Sequence, residues 1–169
     1  MKMNTFHRLS NLLNPQPSVA GLQITDSALR FAFANGGNLS FVSLKLPDGI
    51  IKQGKIENKN ELKSALIKLH SQIASRAKKK IYVVLNIPEN NVYIQVFNLP
   101  LASIENLEEA IKLNLQMLSP IDFKSAYYDW QQVGENATGG GQLEILGAFA
   151  SAKVVDEFIE CLASANFTA

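Results

Sequence analysis

Side chains that commonly carry out catalysis are few in this sequence and do not cluster in it. His7 and His70 are its two histidines, and neither has a second ligand at the spacing of a metal site. Cys161 falls within an apolar helical pattern, which favours a buried, unreactive thiol over a nucleophile. The sequence has no zinc-binding pattern, no phosphate-binding loop with its lysine and no ordered Ser-His-Asp set. We therefore expect no catalytic residues in this chain.

Three carboxylates are the remaining candidates for acid–base chemistry or for a metal site: Asp122, Asp129 and Glu144. Their spacing gives no indication that they meet, so we expect no bound metal. The glycine run within Glu135–Gln142 lacks the spaced glycines and the lysine of a phosphate-binding loop. We interpret that stretch as a flexible hairpin loop.

Composition and charge exclude several classes of protein. The chain has 169 residues, enough for one ordinary domain or two small subdomains, and 47% of its residues are apolar. Its 16 basic and 15 acidic residues leave a net charge of +1, which gives no support for nucleic-acid binding. The single cysteine excludes a disulfide scaffold and fits a reducing cytosol. No apolar run reaches the roughly 18 residues of a membrane span, so we expect a soluble, cytosolic protein.

The first half of the chain is predicted to form a β-rich unit with one helix. Its first three strands, separated by tight turns, predict an antiparallel meander. The last strand is nearly all apolar, so we predict that it is central, covered on both faces and parallel to one of the first strands. The predicted elements are strands Val19–Ile24, Ala28–Ala34, Leu39–Leu46, Ile50–Lys52 and Ile81–Ile87, with a helix over Asn60–Lys79.

The second half is predicted to be an α+β unit in the order strand–helix–strand–strand–helix. Its first helix begins after Ser103, a plausible N-cap, and ends at Pro120. The other predicted elements are strands Val92–Phe97, Tyr127–Val133 and Leu143–Ala150 and a closing helix over Val154–Ala165.

The helix that ends at Pro120 carries two neighbouring apolar stripes. So wide an apolar arc covers a sheet on one side, and two interpretations of its flank stay open: an ordinary core helix, or a surface offered to a partner. The stripes are Ile104, Leu107, Ile111, Leu115 and Leu118, and beside them Ala110, Leu113 and Met117.

The N-terminal residues Met1–Asn14 form a short helical pattern that ends before Pro15 and Pro17. Three interpretations are open: a frayed tail, a weakly bound membrane-surface helix, or a segment that docks into an apolar groove on this or another protein. The apolar side chains of the pattern are Phe6, Leu9, Leu12 and Leu13.

Four stretches in register resemble one protein family. Residues 21–30, GLQITDSALR, are similar to the opening of actin-like ATPases of the PilM type, the type IV pilus assembly proteins related to the division protein FtsA. The resemblance runs from about Val19 to the end of the chain. The other matching stretches are residues 46–50 with 54–56, Leu99-Pro100 followed by residues 108–111, and residues 118–121 followed by Tyr128-Asp129.

The resemblance implies an α+β fold built from two subdomains after an N-terminal tail over residues 1–17. An actin-like (ribonuclease H-like) subdomain 1A is expected over residues 18–90, and an inserted strand–helix–strand–strand subdomain 1C over residues 91–169. Family members continue into the rest of 1A and a second lobe. We therefore expect a fold that is incomplete at the C-terminus, with an open edge on the 1A sheet that could pair with another copy.

The resemblance also locates a degenerate nucleotide-binding loop. The family's stretch reads Gly-(Leu/Ile)-Asp-Ile-Gly-Ser-Ser-Ser-Val-Lys, and two of its functional positions are replaced here. The family's aspartate is Gln23 and its phosphate-loop glycine is Thr25, while the charge of Asp26 would repel a phosphate; Ser27 matches and Arg30 stands at the family's lysine. We expect no cofactor and no ATP hydrolysis in this chain, and ATP with Mg²⁺ is implied only for a full-length protein.

A scaffold role is what the resemblance implies for function. PilM-like proteins lie on the cytoplasmic side of the bacterial inner membrane and hold the N-terminal tail of the bitopic pilus protein PilN in a groove between 1A and 1C. We therefore expect a non-catalytic pilus assembly scaffold, peripheral to that membrane, which binds a PilN-like tail and no nucleic acid. The residues expected to wall its groove are Val92, Ile94, Val96, Leu99, Ala110, Leu113 and Met117.

Two alternatives and one further hypothesis stay open. The chain could be half of a nucleotide-dependent actin-like ATPase, or the cytoplasmic domain of a type II secretion platform protein, which shares the fold. The PilN tail typically carries an Asn-Leu-Leu-Pro-like motif, and residues 10–15 of this chain read SNLLNP. Leu12 and Leu13 could therefore occupy the groove of the same or a neighbouring molecule.

Overall fold

The computed structural model describes residues 19–35, 38–74, 79–100, 106–136 and 141–169. The N-terminal segment with Leu12 and Leu13 and the expected N-cap Ser103 lie outside these ranges, so the hypotheses about them stay predictions. The elements in chain order are β1 (Val19–Ile24), β2 (Ala28–Asn35), β3 (Asn38–Lys45), β4 (Ile51–Lys52), β5 (Lys55–Ile56), α1 (Lys59–Ile73), β6 (Ile81–Asn86), β7 (Val92–Pro100), α2 (Leu107–Leu118), β8 (Ala126–Asn136), β9 (Gln142–Ser151), α3 (Ala152–Ser164) and β10 (Phe167–Thr168).

The larger sheet has five strands in the order β10-β6-β1-β2-β3. β1, β2 and β3 form the predicted antiparallel meander, and β6 runs parallel to β1, which confirms both predictions. β10 pairs parallel to β6 on its other side. The short strands β4 and β5 form a separate antiparallel hairpin, of which the sequence predicted the first strand.

Both α1 and α3 pack on one face of the five-stranded sheet and share one hydrophobic core with it. Successive side chains of a strand point to opposite faces, so alternate residues of each strand enter this core. Each fully buried aliphatic side chain contributes roughly 1.5–3 kcal/mol to folding relative to an exposed one. The largest buried side chains here are Leu22, Ile24, Leu29, Leu46, Ile50, Leu62, Leu66, Leu69, Phe158 and Phe167.

The prediction that β6 is covered on both faces is wrong. Val83 points into the core, whereas its neighbours Tyr82 and Val84 are 39% and 69% exposed. The two helices lie on the same side of the sheet, so the opposite face is open among the described residues. Phe41 of β3 lies on that open face and is 71% exposed.

Helix α1 ends earlier than the sequence predicted. Asn58 caps its N-terminus, accepting from the Glu61 backbone N–H at 3.1 Å, while its own amide donates to the Glu61 carboxylate at 2.9 Å. The helix ends at Ile73, and Lys79 is not helical. The Lys79 carbonyl instead accepts a hydrogen bond from Nε2 of the buried His70 at 2.7 Å. His70 is therefore a structural residue of the core.

The smaller sheet has three antiparallel strands in the order β7-β9-β8, with α2 packed on one face. The predicted order strand–helix–strand–strand–helix is confirmed. Ile111 and Leu115 of α2 are fully buried against this sheet. Gly147, on the central strand, allows this close approach, because a Cβ atom added there would clash with Leu115. The residues that share this second core are Leu99, Ile111, Leu115, Leu143, Ile145 and Phe149.

The chain returns from the smaller sheet to the larger one after Ser151. The sequence assigned residues 91–169 to one inserted unit, whereas α3 packs in the core of the five-stranded sheet and β10 pairs with β6. Cys161 of α3 is buried in that core, as predicted. The Tyr127 hydroxyl on β8 donates to the Asp156 carboxylate on α3 at 3.0 Å. This bond connects the smaller sheet to the helix that packs on the larger one.

Candidate functional site

A cleft of about 580 Å³ opens at the carboxyl ends of the parallel strands β1 and β6. In sheets with parallel strands this end is where ligands most often bind, because the loops diverge there. The cleft extends to Val92, the first residue of β7, so it lies where the two sheets meet. Its lining residues are Gln23, Ile24, Thr25, Asp26, Asn86, Ile87, Pro88, Glu89, Asn90 and Val92.

Thr25 and Asp26, two residues of the degenerate nucleotide loop, line this cleft but form hydrogen bonds within the protein. The Thr25 hydroxyl donates to the Ala28 carbonyl at 3.0 Å and accepts from the Ala28 N–H at 3.1 Å. The Asp26 carboxylate accepts from the backbone N–H of Gly54 at 3.0 Å. Both side chains therefore stabilise turns of the fold.

The other three residues of that loop are also engaged. Arg30 donates to the Gln23 side-chain oxygen at 3.0 Å, across the pair that they form between β1 and β2. The backbone carbonyl of Ser27 accepts from the Leu46 N–H at 2.8 Å. Gln23 also borders the cleft, whereas Ser27 and Arg30 are not among its lining residues. The structure thus brings only part of the expected nucleotide loop to the cleft.

Gly54 forms two hydrogen bonds that the sequence did not predict, one with Asp26 of the cleft and one with Asn91, and we call this pair of bonds the brace. The Gly54 N–H bonds to Asp26, and its carbonyl accepts from the buried Asn91 side chain at 2.7 Å. Gly54 has a φ of 78°, and an added Cβ atom would lie 2.9 Å from the Asn91 amide nitrogen. The hydrogen-bond partners of Gly54 are 28 and 37 residues away along the chain, so no local sequence pattern indicates them.

Three of the seven expected groove residues form a row on β7. Val92, Ile94 and Val96 share the sheet face opposite α2, since alternate residues of a strand share a face. Ile94 is 61% exposed and Val96 53%, and Val92 borders the cleft. We call these three residues the β7 row. It continues the cleft as an apolar strip along the smaller sheet.

The remaining four expected groove residues lie elsewhere. Leu99 is buried under α2, and Ala110 packs against the same core. Leu113 and Met117 are exposed on α2, at 58% and 76%, on the side of the sheet away from the β7 row. The structure therefore does not bring the seven residues together. The wide apolar arc of α2 is divided between a core face and an exposed face.

The electrostatics of the cleft are acidic. Asp26 and Glu89 both line it, and among the residues that the structure describes no lysine or arginine does. The other candidate carboxylates do not join them: Asp122 caps the turn before β8, and Asp129 accepts from the next backbone N–H. Among the described residues, no group of three or more histidine, cysteine or acidic side chains could hold a metal ion.

Two titratable groups outside the cleft have shifted pKa values. Burial raises the pKa of the Cys161 thiol, so the neutral form is favoured in the folded protein. The hydrogen bond and negative charge of Asp156 raise the pKa of the exposed Tyr127. Neither group lines the cleft, so neither indicates chemistry there.

The known proteins that this chain resembles share one fold. The family model described as type IV pilus assembly protein PilM matches residues 35–169. A solved PilM–PilN type IV pilus biogenesis complex superposes with a TM-score of 0.73 and 21% identity, covering 91% of this chain and 46% of that chain. No curated protein sequence matches the chain.

A second solved structure comes from a secretion system. The cytoplasmic domain of EpsL, an inner membrane component of the type II secretion system of Vibrio cholerae, gives a TM-score of 0.51 at 10% identity, covering 89% of this chain and 54% of that domain. The chain thus spans about half the length of the solved structures it resembles. The fold shared with the PilM–PilN complex is the α+β fold that the sequence resemblance implied.

Proposed function

Because the chain belongs to the PilM family of type IV pilus assembly proteins, we propose that it serves pilus assembly as a non-catalytic scaffold that binds a peptide tail. The bound segment is the N-terminal tail of a PilN-like protein. It lies in the acidic cleft and along the β7 row. The family assignment favours this role over the secretion alternative, since the likeness to EpsL is one of fold alone.

The observation that carries this proposal is the continuity of the cleft with the β7 row. A cleft of about 580 Å³ holds a few residues of a peptide, and the row offers apolar contacts beyond it. Ile94 and Val96 are exposed, so both side chains are open to contact with a partner. A solved relative is a complex of PilM with PilN, and this supports a partner of the same kind here.

We also propose that this chain has no enzymatic role. The side chains of Thr25 and Asp26 already form hydrogen bonds within turns, and the side chain of Gln23 accepts a hydrogen bond from Arg30 on the neighbouring strand. A nucleotide phosphate would have to break these bonds and would meet the negative charge of Asp26. We therefore expect the loop to bind no ATP, with or without Mg²⁺.

Location follows from the proposed partner. No described helix is long and apolar enough to cross a membrane. A bitopic partner whose tail enters the cytoplasm would hold this protein at the cytoplasmic face of the bacterial inner membrane. The contact with the membrane is then peripheral and depends on the tail.

The test is calorimetric titration of the 169-residue chain with a synthetic N-terminal tail of PilN from the same bacterium. Ile94→Asp places a charge in the proposed contact, so we expect about a tenfold loss of affinity or more. Leu113→Asp is the matched control, since Leu113 is 58% exposed and Ile94 61%. Equal loss for both variants, or no binding by the unaltered chain, would contradict the proposed site.

A further inference from the structure

The outer edge of β7 is an unpaired strand edge. In the three-stranded sheet β7 hydrogen-bonds to β9 alone among the described residues. β7 is nine residues long, and its free edge carries backbone N–H and C=O groups that a further strand can pair with. The edge starts at Val92, which lines the cleft.

Natural proteins protect free edges with charges, prolines or bulges, and β7 has none of these before its last residue. Its sequence, VYIQVFNLP, contains no charged residue. The opposite edge strand, β8, carries Asp129 and has an irregularity between Gln132 and Gly134. The two edges of one sheet therefore differ, with one protected against pairing and the other open.

Strand β3 is also an edge strand, in the larger sheet, but it does not border the cleft. None of the residues of β3 is among the cleft's lining residues. The edge of β7 is the one that continues the cleft.

We propose that the tail binds as an added strand on the free edge of β7, extending the three-stranded sheet to four strands. This inference rests on the proposed function and specifies the peptide that the site accepts. The peptide backbone pairs with β7, and its alternate side chains lie beside Ile94 and Val96 on one face and beside Tyr93 and Gln95 on the other. The paired segment is uncharged and extended.

The charge of the cleft specifies the end of that segment. Asp26 and Glu89 line the cleft, and its described lining includes no lysine or arginine. The peptide residue that reaches the cleft next to Val92 therefore carries a positive charge, from a lysine, an arginine or the chain's own N-terminus. The accepted ligand class is an uncharged, alternating apolar run with a basic residue at its cleft end.

Backbone pairing has a signature that side-chain contact alone does not produce. In a strand, alternate N–H groups point to opposite edges. Two versions of the PilN tail, N-methylated at the odd or at the even positions of the paired run, should therefore differ in their affinity for the protein. Methylating the set that faces β7 removes its hydrogen bonds and weakens binding by about fivefold or more for each methyl group. Methylating the other set leaves affinity within about twofold.

The same pairing can be tested on the backbone amides of the protein, whose hydrogen exchange is measured by NMR. We expect the tail to slow exchange at alternate amides between Tyr93 and Asn98, and to leave the amides of β8 unchanged. The variant Val96→Lys should abolish this protection. Val133→Lys is its matched control on the β8 edge, since Val96 is 53% exposed and Val133 49%.

The outcomes separate the two proposals. If the tail binds but both methylated sets lose affinity equally and no alternate amides are protected, strand addition is wrong while the proposed function stands. If the tail does not bind at all, both are overturned. Alternate protection together with loss from one methylated set confirms strand addition.

Discussion

The loop Gln23–Ser27 and strand β7 border the same cleft, yet they use their polar groups in opposite ways. The loop uses its side chains in hydrogen bonds within the protein, with Ala28, Arg30 and Gly54. The strand leaves apolar side chains exposed, and one of its backbone edges is unpaired within the described part of the chain. Buried or engaged polar groups favour one fixed structure, whereas an open edge favours association. The comparison separates a region that maintains the fold from a region available for binding.

The largest expected effect is a loss of stability in the smaller sheet, which contains β7. Gly147→Ala places a Cβ atom against the end of the Leu115 side chain, so that side chain must change conformation or α2 must shift on the sheet that contains β7. We expect a loss of about 2 kcal/mol in the free energy of unfolding, measured by urea denaturation.

The matched control for that substitution is Gly21→Ala, on β1. An added Cβ atom at Gly21 lies 4.0 Å from its nearest neighbours, which is ordinary contact. We expect a change of less than about 0.5 kcal/mol there. Equal destabilisation by the two substitutions would contradict the packing that we describe between Gly147 and α2.

The next effect tests the brace on the loop side. Asn91→Ala removes the 2.7 Å bond to the Gly54 carbonyl and leaves that carbonyl without this partner. We expect a loss of about 1–2 kcal/mol in unfolding free energy. Asn114→Ala, which removes a 2.8 Å bond within α2, is the control, with an expected loss below about 0.5 kcal/mol. A smaller loss for Asn91→Ala than for its control would show that the brace does not support the fold.

A smaller effect tests whether the negative charge of the cleft contributes to binding of the tail. Glu89→Gln removes one of its two negative charges, so a tail with a basic residue should bind about two- to fivefold more weakly at low salt. The difference between the two proteins should shrink as NaCl rises from about 50 to about 500 mM, because salt screens exposed charges. Calorimetry at both salt concentrations measures this. Unchanged affinity at low salt would exclude an electrostatic contribution from Glu89.

The smallest effect concerns the core of the five-stranded sheet, in which Cys161 is buried. Burial raises the pKa of Cys161 in the folded state above its unfolded value. Its contribution to stability is therefore full below about pH 8.5 and is lost as the pH rises through the folded pKa. Urea denaturation of the unaltered chain and of Cys161→Ala at about pH 8 and pH 10 isolates this term. A variant that loses as much stability as the unaltered chain would contradict it.

The sequence predicted the regular elements more reliably than their surroundings. Alternation and turn residues located β1, β2, β3 and β6, because these signals are local. The sequence did not predict the open outer face of β6. An all-apolar strand is expected to be buried on both faces, and the sequence does not show whether helices cover both. The early end of α1 depends on the distant contact between His70 and Lys79.

The site was predictable only in part for a similar reason. The sequence placed Val92, Ile94 and Val96 among the walls of a binding groove, and alternation along one strand does put them on one face of the sheet. Their role in binding stays a prediction. Leu99 and Leu113 were grouped with them, yet which face of the sheet α2 covers depends on tertiary packing. The role of Asp26 could not be read locally either, since its hydrogen-bond partner Gly54 is 28 residues away.

The most direct test of the comparison is a single calorimetric series on the unaltered chain. Mg-ATP is titrated into the protein alone, and the PilN tail is then titrated with and without Mg-ATP. Our account predicts no heat of binding from Mg-ATP and one tail per chain, with the same affinity in both conditions. Binding of Mg-ATP without binding of the tail would contradict it, and would make the loop Gln23–Ser27 the working site of this protein.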